Sequence, residues 1–315
     1  MATPPEFSRR SAWLILALVL SGLALRSYHY LRVPAVWHDE AALIVNVLNK
    51  DFAELLGPLQ WHEAAPPLFL WIERAVFLTL GDDVFSLRLF PFLTSCAALL
   101  LMVPVSRSLL PAAAVPWAIL LFAFADPLAW HACEAKPYSS DVLAAVLLLY
   151  FCAGRSRPLF WQLIVLTLLA PPLIFLSYPA CFFYGGVLVA LLPAVWRQRN
   201  APACLGYGLL VLAVGISFLL LALGPARAQH DDTMTAPWRG FFPEWDRPWA
   251  VPVWAATASV EVVRYCLRPL GQLLLLPALV GGVHFVRRGR RSLMVLLILP
   301  VFLALVASCL HRYPY

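Results

Sequence analysis

Residues 12–40 read AWLILALVLSGLALRSYHYLRVPAVWHDE: an apolar run closed by an aromatic, a histidine and two carboxylates. The run 12–31 is long enough to cross a bilayer, which takes about 20 predominantly apolar residues. Asp39 and Glu40 follow within a few positions, where ionisable groups are costly to keep and mark a polar pocket. A second polar stretch, Trp61-His62-Glu63, stands just before Ala64-Ala65-Pro66-Pro67.

Hydrophobic residues make up 62% of the 315 positions and charged residues 13%. With a mean hydropathy of +0.79, this excludes an ordinary soluble domain, where apolar usage is nearer half. The formal charge of +6 does not point to nucleic acid, because the basic residues sit in short clusters between apolar runs. That pattern concerns membrane orientation. The seven cysteines are scattered without a CxxC pair and read as small buried hydrophobes rather than a disulfide or zinc framework. Arg9 and Arg10 before Ser11–Leu25 look like a signal peptide, but no small-residue cleavage site follows, so the segment is expected to stay as a first helix.

Apolar runs continue at 66–80, 86–105, 112–129, 139–154, 160–177, 179–195, 204–223, 263–286 and 292–310. Arg9/Arg10, Arg107, Arg155/Arg157, Arg197/Arg199 and Arg287/Arg288/Arg290/Arg291 should all be cytoplasmic. This parity fails if 66–80 crosses. That run is short, starts at Pro66-Pro67 and carries Glu73 and Arg74 in its middle, so it is expected to lie at the outer interface. The sequence therefore predicts an all-α polytopic bundle of about nine spans plus an interfacial helix, as one domain over 1–315. Its N-terminus is inside, with outer loops at 32–85 and 224–260. The second loop is long for a tight connection and rich in Trp and Pro, which suits an interfacial belt or a lid.

The polar residues then gather on the outer side. Asp39 reads either as the N-cap of a helix over 41–48, with Glu40 favouring the positive helix end, or as a general base at the bilayer edge, with Glu40 beside it as a second catalytic candidate. Glu134 and Lys136, in the outer segment Trp130–Asp141, read either as a solvated turn or as site residues; Asp141 reads as the cap of the next helix. His311 and Arg312 near the C-terminal end either anchor at headgroups or hold a substrate phosphate. Arg88 is interfacial or faces the same cavity. His38, His62 and His131 leave a divalent metal open as the one candidate cofactor.

The acidic pair after the first span, the Pro-Pro-Leu helix start, the G-D-D-x-F-S-x-R turn at Gly81–Arg88, the E-A-K-x-Y-S-x-D loop at Glu134–Asp141 and the Tyr313-Pro314 ending resemble the GT-C membrane glycosyltransferases. They are most similar to bacterial glycosyltransferase family 39-like proteins, relatives of the protein O-mannosyltransferases and lipid A aminoarabinose transferases. The resemblance covers most of residues 1–155 and beyond that is mainly topological. It implies a polyprenyl-phosphate-linked sugar as donor and inverting transfer to a lipid, glycan or protein acceptor. The reaction would take place on the outer face of a bacterial inner membrane. It further implies that Asp39 activates the acceptor, that Glu134 is the second acidic residue, and that Lys136 and Tyr138 line the pocket. Glu63 stands where relatives often carry His, Lys or Asn, which favours a metal or a cationic acceptor. Relatives commonly continue past the Tyr-Pro motif, so a truncated member is expected.

Two other readings remain. A transporter or flippase of a lipid-linked precursor would carry ionisable residues at mid-span. A non-catalytic relative would keep the spans and not need the carboxylates.

Overall fold

The computed structural model describes residues 8–153, 158–230, 238–266, 268 and 271–313. Arg155, Arg157, Pro314 and Tyr315, which entered the sequence reading, lie outside these. Of the described residues 83% are helical, and none lies in a strand. Among the described residues six helices are long and apolar enough to cross a membrane: α1 (Arg9–Arg32), α4 (Val84–Leu109), α8 (Leu159–Leu176), α9 (Ala180–Gln198), α10 (Ala201–Leu223) and α14 (Arg291–Cys309). A seventh crossing arises if α5 (Val115–Phe124) and α6 (Asp126–Trp130), bent by 55° at the break between them, form one span. Six to seven of the nine expected spans are thus accounted for among the described residues. In the runs 139–154 and 263–286 the described residues include α7 (Tyr138–Ala153) and α13 (Gly271–Arg287), of 16 and 17 residues, each bordering residues outside the described set.

Two compact units emerge. The first takes Met1–Leu56, Ala65–Pro158 and Phe175–Ser177; the second takes Gly57–Ala64, Leu159–Ile174 and Tyr178–Tyr315.

In the first unit, α1 buries Ile15, Val19, Gly22 and Arg26, a stripe at helical spacing, while Leu14, Leu16 and Leu20 stay exposed. Ile15 and Val19 pack on Val115 and Ile119 of α5. A Cβ at Gly22 would lie 2.8 Å from the Ala123 Cβ, so glycine is what lets these two helices approach. The break after α5 follows from Pro127, which has no N–H to offer the Ala123 carbonyl one turn earlier. Arg26 supplies the missing donor at 3.0 Å and also reaches the Phe122 carbonyl.

The turn Gly81–Arg88 is built residue by residue. Helix α3 (Pro67–Leu80) opens with proline at its first position, where no intrahelical N–H bond is lost. It closes on Gly81 at φ 101°, a left-handed conformation that a Cβ would strain. Asp83 then caps α4: its carboxylate accepts from the Ser86 N–H and the Ser86 hydroxyl, bonds that hold its pKa below the ordinary value. At 14 residues, or about 21 Å, α3 is too short to cross, as its charges and length predict. Arg74 secures it by donating from Nη1 to the Val47 and Leu48 carbonyls, both at 2.9 Å. These lie in the last turn of α2 (His38–Asn49), where a cation suits the exposed carbonyls.

In the second unit α9 and α14 pack closely, with Gly186 against Pro300. Small residues of this kind allow close helix approach without a water-driven term. Part of the long loop is fastened to the end of α14. The Ser308 hydroxyl donates to the Phe241 carbonyl, the Trp245 indole N–H donates to the Cys309 carbonyl, and Phe242 stacks on His311. Trp238, Trp245 and Trp249 are exposed, in keeping with a tryptophan belt.

Candidate functional site

Helix α2 begins at His38, with Trp37 as its N-cap and no side-chain capping bond. The capping reading of Asp39 is therefore corrected: Asp39 and Glu40 lie inside the first turn, where the helix dipole favours them, and face different surroundings. Asp39 is partly exposed and meets His38 Nε2 at 2.8 Å. Glu40 points inward and is wholly buried. Asp141 is likewise no cap, since α7 starts three residues before it.

Glu40 is the centre of the constellation. Arg88 donates to it in the two-pronged geometry of a guanidinium on a carboxylate, Nε to Oε1 at 2.7 Å and Nη2 to Oε2 at 2.6 Å. A further Arg88 N–H donates to the Pro34 carbonyl. The Ala135 backbone N–H donates to Glu40 Oε1 at 2.8 Å. One carboxylate thus ties three segments: the start of α2, the start of α4 and the loop after α6. Both carboxylate oxygens are bonded, so Glu40 joins these segments.

The loop after α6 is equally ordered. Glu134 is 3% exposed and accepts from the Trp130 indole N–H at 2.5 Å and from His131 Nδ1 at 2.6 Å. The solvated-turn reading is corrected for this residue. A carboxylate at Nδ1 selects the tautomer that carries its proton there, leaving Nε2 as the basic nitrogen. The His131 ring packs on Tyr138 at 4.5 Å between centroids. Lys136 is also buried, at 6% exposure, in the tight turn where its N–H donates to the Glu134 carbonyl.

Asp39 adjoins Glu40, and Glu134 adjoins Ala135. The two acidic segments singled out from sequence are therefore joined through one hydrogen bond. Arg88, Lys136 and Tyr138 belong to the same unit. Glu63, His311 and Arg312 belong to the second unit. There Glu63 is half-buried and Arg312 exposed. Trp61 and His62 just before Glu63 both have positive φ, 64° and 54°, an uncommon pair of non-glycine residues in that region. Among the described residues no three His, Cys, Asp or Glu side chains group as metal ligands would.

Glu73 was legible in the sequence only as a reason for α3 not to span. In the structure it is 1% exposed, and both carboxyl oxygens lack a hydrogen-bond partner. Burial, and then the charge of Glu40, push its pKa well above the ordinary carboxylate value. The folded protein therefore keeps a proton that the unfolded chain releases. Its contribution to stability is fullest below the unfolded pKa and is lost as pH rises toward the folded one. Glu73→Gln is expected to remove a fall of about 1.4 kcal/mol per pH unit across that window. Denaturant titrations in detergent at several pH values check this, and parallel pH profiles for the two proteins would contradict it.

No protein-family model matches the chain, and neither the curated proteins nor the solved structures contain a match to it.

Proposed function

We propose that this membrane protein transfers a sugar from a polyprenyl-phosphate donor to an acceptor at the outer ends of α1, α4 and α7. The observation that carries the reading is the bond from the Ala135 N–H to Glu40, which joins the segments bearing two carboxylate–histidine pairs, His38–Asp39 and His131–Glu134. A transferase of this kind needs a base for the acceptor and a cation for the departing phosphate. Asp39, the more exposed of the two carboxylates, takes the acceptor proton as its oxygen or nitrogen attacks the anomeric carbon. The bond from that carbon to the phosphate oxygen breaks from the opposite face, inverting the centre. The phosphate leaves with the bonding electrons, and Lys136 is the nearby cation for its growing charge. Glu40 and Arg88 fix the geometry, the condition on which positioning catalysis depends. Nine crossings, with α7 and α13 as short spans, an N-terminus inside and a bacterial inner membrane complete the reading.

One observation favours the transporter reading. Arg26 is a buried charge inside α1, bonded at a broken span, a combination that transporters use at substrate sites. Proteoliposomes holding the protein and a radiolabelled polyprenyl-phosphate sugar separate the two. Transfer predicts that label leaves the lipid phosphate and enters an acceptor fraction. Movement of intact donor between leaflets, without loss of label from the lipid, would replace transfer by transport.

A further inference from the structure

Arg26 is wholly buried in the first unit. Its Nε donates to the Ser95 hydroxyl at 2.9 Å, Nη1 donates to the Gly22 and Ala123 carbonyls, and Nη2 donates to the Phe122 carbonyl at 3.3 Å. A guanidinium has five N–H donors, so these four bonds leave one N–H on Nη2. All four partners are neutral. Every ion pair of Arg88 has a carboxylate in it, whereas Arg26 has none within bonding distance among the described residues. A buried charge left without a counter-charge is costly.

A cavity of about 50 Å3 adjoins this guanidinium, walled also by Ser95, Ala98, His131, Tyr138 and Val142. By the same measure a single water needs only about 10–15 Å3, so the space suits a chloride with a water, and it is tight for a larger organic anion. Arg26 lies six residues before the outer end of α1, about 9 Å along the axis, so entry from the outer polar end is short.

We propose that this cavity is a binding site for a halide-sized monovalent anion, held by Arg26 as the counter-charge the fold itself does not supply. The anion sits behind His131 and Tyr138, so it also sets the field under the candidate site. The inference does not depend on the transfer reaction.

Purified protein in detergent is titrated with sodium chloride at constant ionic strength, with sodium gluconate as the balancing salt. The site predicts a saturable rise in unfolding temperature, about 2 °C at a tenfold excess over Kd. Arg26→Gln and Ala98→Leu should each abolish the rise. The second variant fills the cavity from another wall and leaves every Arg26 bond in place, so it serves even if Arg26→Gln fails to fold. Crystals grown in bromide should show an anomalous peak beside the guanidinium. Equal unfolding temperatures in chloride and gluconate, a chloride response that Ala98→Leu retains, or a bromide-free cavity would each overturn the proposal.

Discussion

Arg88→Met is expected to lower the unfolding free energy by about 3–5 kcal/mol, the cost of leaving a buried charge without its partner. Both side chains are nearly inaccessible, at 2% and 0% exposure, so water cannot compensate Glu40 after the change. The loss should reach beyond the pair itself. Glu40 also accepts from Ala135 and Arg88 donates to Pro34, so three segments loosen together. The double variant Glu40→Leu with Arg88→Met should recover much of the loss, because an apolar replacement removes both desolvation costs. Denaturant unfolding in detergent measures all three proteins. A single Arg88→Met variant within about 0.5 kcal/mol of wild type would show that the pair is not the clamp described here.

Asp39→Asn is expected to retain the fold and lose about 10²–10⁴-fold in transfer rate, the usual contribution of a positioned base. The fold should survive because Asp39 is partly exposed and its described ion-pair partner is the exposed His38. Glu134→Gln should also slow transfer, but by another route. It weakens the bond that fixes the His131 tautomer, while an amide can still accept from the Trp130 indole. The contrast separates a residue that meets substrate from one that orients a neighbour.

The polar anomalies were legible in the sequence because they interrupt an apolar chain; their pairing was not. Glu40 and Arg88 are 48 residues apart, and nothing in spacing alone says which of two adjacent carboxylates turns inward. The helical face decides it: α2 buries Glu40, Leu43 and Val47 together, an i, i+3, i+7 stripe that leaves Asp39 outside. The turn at Gly81–Arg88 was legible almost whole, since Gly, Asp and Ser each have a local reason for their place. Arg26 was not, because a lone arginine near the end of an apolar run passes for an interfacial anchor. Its partner, the carbonyl freed by Pro127, lies 97 residues away. Nine spans are not confirmed: the described parts of α7 and α13 hold 16 and 17 residues, and apolar composition alone does not fix helix length.

The central claim is that the acidic corner at Asp39 and Glu134 is a transfer site. Its most direct test is the initial rate at which polyprenyl phosphate is released from a polyprenyl-phosphate sugar by purified wild-type protein and by Asp39→Asn in the same bilayer. Release by wild type and at least a hundredfold slower release by the folded variant is the predicted result. Equal rates in the two proteins, or no release by wild type across the available sugar donors and acceptors, would contradict the claim.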